Sequence, residues 1–306
     1  MSSIAKQKRI EMRKALRIME RTRINNPDKT KYAIVHTYPK EYTHNNERKV
    51  IGFGDFLRGS IHLYKLSIIL GFQLHIDLSE HPIGKYIVCY EINKQEYGPV
   101  HPNMAHYTTW VNSDRSVTKN TILTLFQKSK KLNLFIAEPW LDYYKIDPLL
   151  EHEREFIQPY IQPTEFISSK INTFLQGIDR FHIVHIRTGD SSMNIDKSIA
   201  FPEIYQINPI QCIQNNLQSI TTLPVVVISD SLELKKQCVE QFHFLITDTI
   251  PVHSGYINDD MEGTALEFFL MARASIIFNI STYSWGSTFS TMCALIYNIP
   301  YVRLTE

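Results

Sequence analysis

Between Phe181 and Tyr297 the chain alternates short apolar runs with longer segments of helical periodicity, and this alternation constrains the fold more than any other feature. The runs are Phe181–Ile186, Pro224–Ile228, Phe242–Ile246 and Ser275–Asn279, while Pro209–Ser219, Leu232–Gln241, Gly263–Arg273 and Ser290–Tyr297 read as helices. A short run that stays apolar instead of alternating fits a strand covered on both faces, and strands separated by helices form a parallel sheet. Each run ends in polar residues. These endings are Arg187-Thr188-Gly189-Asp190, Ser229-Asp230-Ser231, Thr247-Asp248 and the hydroxyl-rich stretch Ser281–Ser290. In a parallel sheet such endings share one edge, the edge at which open α/β sheets bind ligands.

The first half shows the same rhythm once. Tyr32–Val35 reads as a strand, and a polar loop through Asn45-Asn46-Glu47 leads to Val50-Ile51. The glycine-rich turn Gly52–Gly59 then opens a helix over 60–70, Gly71 caps it, and Phe72–Leu78 is the next strand. Residues 86–140 support no detailed assignment. At 306 residues the chain suits two domains, of about 150 residues each. The expected division is a basic N-terminal helix over 1–30, a first domain over 31–163 and a second over 164–306, with the boundary near Pro159–Ile167.

Composition excludes several classes. A net charge of +1 gives no general attraction to nucleic acid, so any polyanion must be met locally. The scattered Cys89, Cys212, Cys238 and Cys293 lack metal-ligand spacing and read as free thiols of a reducing compartment. Neither a signal-peptide pattern nor a long uncharged apolar stretch is present, so a cytoplasmic protein is expected. The first 23 residues carry eight Lys/Arg against Glu11 and Glu20, with Met12, Leu16 and Met19 at helical spacing. Such a helix either packs its apolar stripe on the domain or lies on an anionic membrane surface.

Arg187, at the end of its strand, offers a planar fork of donors suited to phosphate oxygens. Asp190 can orient that arginine or meet a substrate; the plain alternative is a surface Arg–Asp pair. Ser281–Ser290 leads into a helix whose backbone N–H groups and hydroxyls suit a diphosphate, although a Ser/Thr-rich helix start also serves simply as an N-cap. No Asp-x-Asp cluster stands at a strand end, so no metal site is expected; Asp259-Asp260 lies in a loop before a helix.

These strings resemble those of the GT-B inverting fucosyltransferases, which include bacterial α1,6 enzymes, α1,2 enzymes and protein O-fucosyltransferases. His185-Ile186-Arg187-Thr188-Gly189-Asp190 is similar to their His-x-Arg-x-(Gly/Thr)-Asp motif. Ile51–Arg58 with Leu74–Asp77 resembles the nodulation-type enzymes, and Phe268–Met271 with Ile276–Gly286 resembles the α1,2 branch. The resemblance implies an α/β GT-B fold, two Rossmann-like domains facing a cleft, with the acceptor domain first and the GDP-sugar domain second. It implies metal-independent transfer of fucose from GDP-fucose to a glycan hydroxyl with inversion, and no cofactor.

On that resemblance Arg187 binds the β-phosphate and offsets charge on the leaving GDP. Gly52, Phe53, Gly54, Asp55, His185, Ser287, Thr288, Phe289 and Ser290 surround the donor, and Asp230 and Asp248 meet guanine or ribose. His185 has a purely structural alternative, and Asp230 and Asp248 an alternative as turn residues. The general-base candidates are Asp190 and Asp196, ahead of Asp55. Two departures stand out: no acidic residue between Asp190 and Asp196, and Glu267 where the α1,2 pattern carries aspartate. Three other readings stay open: a different nucleotide-sugar donor, an S-adenosylmethionine methyltransferase using Gly52-Phe53-Gly54 as its cofactor loop, and an inactive glycan- or nucleotide-binding module.

Overall fold

The computed structural model describes residues 32–37, 43–44, 47–48, 52–79, 81–88, 105–109, 115–128, 131–136, 148–188, 207–249, 260–283 and 286–305. Asp190, Asp196, Cys89 and the basic segment 1–23 lie outside the described residues.

In the first half, β1 (Ala33–Thr37) is followed by the short antiparallel pair β2 (Thr43–His44) and β3 (Glu47–Arg48), then α1 (Phe53–Leu70) and β4 (Gln73–Asp77). Next come β5 (Ile87–Val88), β6 (Ala105–Thr109), α2 (Arg115–Lys128) and β7 (Lys131–Ile136). The parallel sheet has the order β4-β1-β7-β6. Gly71 caps α1 in the left-handed conformation, φ 72°, as the sequence predicts.

The connecting region contains α3 (Glu151–Ile157), β8 (Gln162–Pro163), which pairs with β5, and α4 (Glu165–Phe174). The second half runs β9 (His182–Arg187), α5 (Pro209–Ile220), β10 (Val225–Ser229), α6 (Leu232–Phe242), β11 (Leu245–Ile246), α7 (Glu262–Met271), β12 (Ile276–Ser281), α8 (Thr288–Tyr297) and β13 (Tyr301–Arg303). Its parallel sheet has the order β11-β10-β9-β12-β13. Chain progression moves outward from β9 to β11 and then returns to β12 on the other side of β9. The strand order therefore reverses between β9 and β12, and the carboxyl ends at such a switch point are where open α/β sheets form their ligand crevice.

Alternate residues of the central strands feed two separate layers. Ile183, Val226 and Ile277 face α7 and α8, whereas Val184, Val227 and Phe278 join the layer of Cys212 and Ile213 from α5 and Cys238 from α6. This two-sided burial is why these strands read as continuous apolar runs. The first layer also takes in Phe53, Phe56, Leu57 and Ile61 of α1, so one core joins the two sheets. Phe53 packs edge-on against Phe268, ring centroids 4.9 Å apart.

Four elements differ from the sequence reading. The glycine-rich stretch after Gly52 is the first part of α1, not a loop: the Gly52 carbonyl accepts from the amides of Asp55 and Phe56 at 3.0 and 3.1 Å. Phe53, Phe56, Leu57 and Ile61 recur at helical spacing and are all buried, and this packing outweighs the helix penalty of Gly54 and Gly59, about 1 kcal/mol each. The cofactor loop that a methyltransferase reading needs is thus a helix. The run Phe242–Ile246 yields only a two-residue strand, because α6 extends through Phe242 and closes on His243 at φ 57°. Finally, α8 starts at Thr288 instead of Ser290, and β13 adds a strand that the sequence reading lacked.

Candidate active site

Arg187 ends β9, and its register partner on β12 is Ser281, so both stand at the crevice where the strand order reverses. The guanidinium donates through Nη1 to Asp230 Oδ2 at the end of β10. Asp230 Oδ1 also accepts from the Thr188 amide at 3.0 Å and from the Thr188 hydroxyl at 2.9 Å. On the opposite side the Thr282 amide donates to the Arg187 carbonyl at 3.1 Å, and the Thr282 hydroxyl to the Thr188 carbonyl at 3.1 Å. Strands on both flanks thus hold the arginine, while 23% of its side-chain surface remains open. Its guanidinium carbon lies 5.8 Å from the ring centroid of Tyr283. Asp230 is therefore the described orienting carboxylate, a role that the sequence reading considered for Asp190.

The turn after β12 is fixed internally. The Ser281 hydroxyl donates to the Gly286 carbonyl at 3.2 Å and accepts from the Tyr283 amide at 3.2 Å, and Gly286 adopts φ 81°. A Cβ at Gly286 would lie 3.3 Å from Asn279 Oδ1, a second reason for glycine there. Ser287 occupies the N-cap position of α8, yet its side chain makes no capping hydrogen bond.

The N-terminus of α8 meets the N-terminus of α1. A Cβ at Gly54 would lie 2.7 Å from Phe289 N, so only glycine permits this approach. The positive ends of two helices converge there, next to Arg187. Asp55, in the first turn of α1, bonds the Thr288 side chain, pairs with Arg58 at 3.0 Å and feels the charge of Arg187. Burial raises its carboxyl above the ordinary carboxylate value, against the opposing pull of Arg58, Thr288 and Arg187. Its side chain keeps 29% of its surface exposed.

Behind the arginine, His185 Nδ1 lies 2.8 Å from Ser290 Oγ and 3.3 Å from Asn279 Nδ2. Burial lowers the His185 pKa to about 4; the carboxylate of Asp230 opposes this, and the cations Arg187 and Lys235 reinforce it. The imidazole is neutral at pH 7.

The residues expected at the donor therefore separate into groups. Arg187, Asp55, Asp230 and Thr288 come together at the crevice, and Ser287 borders it. His185 and the fully buried Ser290 form a bonded pair beneath it. Phe53 lies in the core, Phe289 packs between Phe268 and His185, and Gly52 and Gly54 serve the helix start and the helix junction. Asp248 is exposed after β11. Sequence reasoning missed the braces Thr188 and Thr282, whose roles depend on strand order, and the Tyr283 ring; it also missed Lys235, which pairs with Glu267. Among the described residues no helix is long and apolar enough to cross a membrane. Cys212, Cys238 and Cys293 are buried. Burial pushes the Cys238 thiol up to about 12.

No protein-family model matches the sequence, and no curated protein does. Solved structures do match in fold. NodZ α1,6-fucosyltransferase soaked with GDP-fucose is 14% identical, with 87% of this chain and 92% of that chain covered and a TM-score of 0.52. The Bradyrhizobium fucosyltransferase NodZ is 13% identical at the same coverage, with a TM-score of 0.50. An apo form of POFUT1 is 12% identical, covering 92% of this chain and 99% of that one, with a TM-score of 0.49. The chain has the α/β GT-B fold of the NodZ fucosyltransferase.

Proposed function

We propose that the chain is a glycosyltransferase that moves fucose from GDP-fucose to a glycan hydroxyl, with inversion and without a metal ion. The observation that carries this reading is the site itself: a braced, partly open arginine beside two converging helix N-termini, at the point where strand order reverses. That combination suits a diphosphate, and fold likeness to NodZ, a fucosyltransferase solved with GDP-fucose, supports the choice of donor.

In this reading the donor's β-phosphate lies against Arg187 and the first turn of α8. As the glycosidic bond to the diphosphate breaks, negative charge grows on the leaving GDP, and the guanidinium and the helix N–H groups stabilise it without reorganising. Asp230 keeps the fork aimed. Of the three base candidates, we assign the acceptor hydroxyl's proton to Asp55, whose raised carboxyl stands on the first-sheet side of the site beside Arg187. The first sheet then supplies the acceptor and the second the donor, with the domain boundary near Pro159–Ile167.

The test is calorimetric titration of GDP and GDP-fucose, with and without chelator, paired with an assay of fucose transfer to glycan acceptors. Binding is expected to survive chelation. Arg187→Lys is expected to lose nearly as much turnover as Arg187→Ala, about a hundred- to thousand-fold, because a point charge does not reproduce the bidentate fork. Wild-type turnover in the Lys variant, or GDP binding that requires added divalent metal, refutes the assignment.

A further inference from the structure

β13 is the edge strand beside β12, paired so that Tyr301 stands opposite Ile277 and Arg303 opposite Asn279. Residues two apart along a strand share a face of the sheet. Ile277 faces α7 and α8, which places Tyr301 and Arg303 on the α8 side, while Val302 between them is exposed on the other. The Tyr301 hydroxyl accepts from Thr291 Oγ1 at 3.2 Å, lies 3.5 Å from Ser290 Oγ and is bonded by the Ser287 backbone. Arg303 Nη2 donates to the Tyr283 carbonyl at 2.6 Å.

These contacts fall on both sides of the connection from β12 to α8. On one side, Tyr283 sets its ring 5.8 Å from the guanidinium carbon of Arg187. On the other, Ser287 is the N-cap residue of α8 and Thr288 bonds Asp55. The Ser287 side chain makes no capping hydrogen bond, so the Tyr301 hydroxyl secures this helix start from a neighbouring strand. The Tyr301 ring packs against the core, a task that a phenylalanine would perform as well. Its hydroxyl is a different matter: a buried polar group is costly unless bonded, and this one finds its partners in α8 and its cap.

Resting on the donor-site reading above, we infer that Tyr301 and Arg303 are positioning residues for the donor diphosphate, holding the first turn of α8 and Tyr283 in place relative to Arg187. They act through those groups and not on the ligand. Misplacing a binding group by about 1 Å is enough to weaken what it holds, so the two side chains matter to phosphate binding without reaching it.

Two variants test it in the full chain. Tyr301→Phe removes the hydroxyl and keeps the ring, and Arg303→Met removes the donor to Tyr283 and keeps an unbranched side chain. GDP and GMP are titrated into each, with melting temperatures alongside, because GMP lacks the β-phosphate that the start of α8 serves. Each variant is expected to shrink the ratio of GDP to GMP affinity by about three- to tenfold, the loss of roughly one hydrogen bond. A wild-type ratio in either variant overturns the inference, whether both nucleotides keep their affinity or both lose it equally with a lower melting temperature, the mark of a merely structural strand. Failure of the wild-type protein to bind GDP, or to bind it more tightly than GMP, instead overturns the donor-site reading on which the inference stands.

Discussion

Replacing Gly54 by alanine probes the junction on which the candidate site depends. The added methyl lands 2.7 Å from Phe289 N, 2.7 Å from Thr288 C and 2.8 Å from Phe289 Cα. All three are backbone atoms, so no rotamer change relieves the contact and the two helices must separate. Non-bonded carbon contacts sit at roughly 3.5–4.0 Å, which requires a displacement on the order of 1 Å. Overpacking of this kind costs about 1–3 kcal/mol, while replacing a helical glycine by alanine returns up to about 1 kcal/mol. The net expectation is a loss of about 1–2 kcal/mol. With roughly 2–4 °C per kcal/mol for large domains, the melting midpoint falls by several degrees. Because the displacement draws Thr288 away from Asp55, GDP affinity and transfer rate are expected to fall with it. Circular-dichroism melts with and without GDP provide the measurement. A midpoint at or above that of wild type would mean that helix propensity governs position 54, and the close approach of α1 and α8 would be refuted.

The buried His185 makes a pH prediction. Its folded-state pKa of about 4 lies below the ordinary value, so between about 6.5 and 4 the unfolded chain takes up a proton that the folded chain refuses. Stability therefore rises with pH across that window, by on the order of 3 kcal/mol from this residue, and is fully present above it. His185→Gln is expected to flatten the slope of melting temperature against pH in that window; an unchanged slope refutes the assignment. Asp55→Asn is expected to lower transfer by about 10²-fold or more without weakening GDP, since it removes a negative charge beside the phosphate site. Stopped-time transfer assays and GDP titration check it, and wild-type turnover would return the base to the other carboxylates.

Much of the second half was legible from local pattern, because a strand covered on both faces is apolar nearly throughout, and Phe181–Ile186, Pro224–Ile228 and Ser275–Asn279 come close to that, broken only by His182, His185, Ser275 and Asn279. The glycine-rich stretch misled for the converse reason: Gly54 and Gly59 signal a turn locally, while the partner that makes Gly54 necessary, Phe289, is remote in sequence. At Phe242 the apolar residues that suggest a strand belong to the end of a helix, which closes only because His243 adopts a positive φ.

Sequence alone determined that the chain builds parallel β/α units and that Arg187 stands at the carboxyl edge of the sheet, since both follow from periodicity and from the direction in which a strand ends. Tertiary structure decided what surrounds that arginine. Asp230, from the neighbouring strand, holds it, Thr282 braces its backbone, and the starts of α1 and α8 meet beside it. Lys235 finds Glu267 and the turn after β11 in the same way. These contacts depend on strand order and helix packing, which bring together residues that neither spacing nor composition relates; local sequence specifies the elements, and only burial of their shared core specifies which of their ends meet.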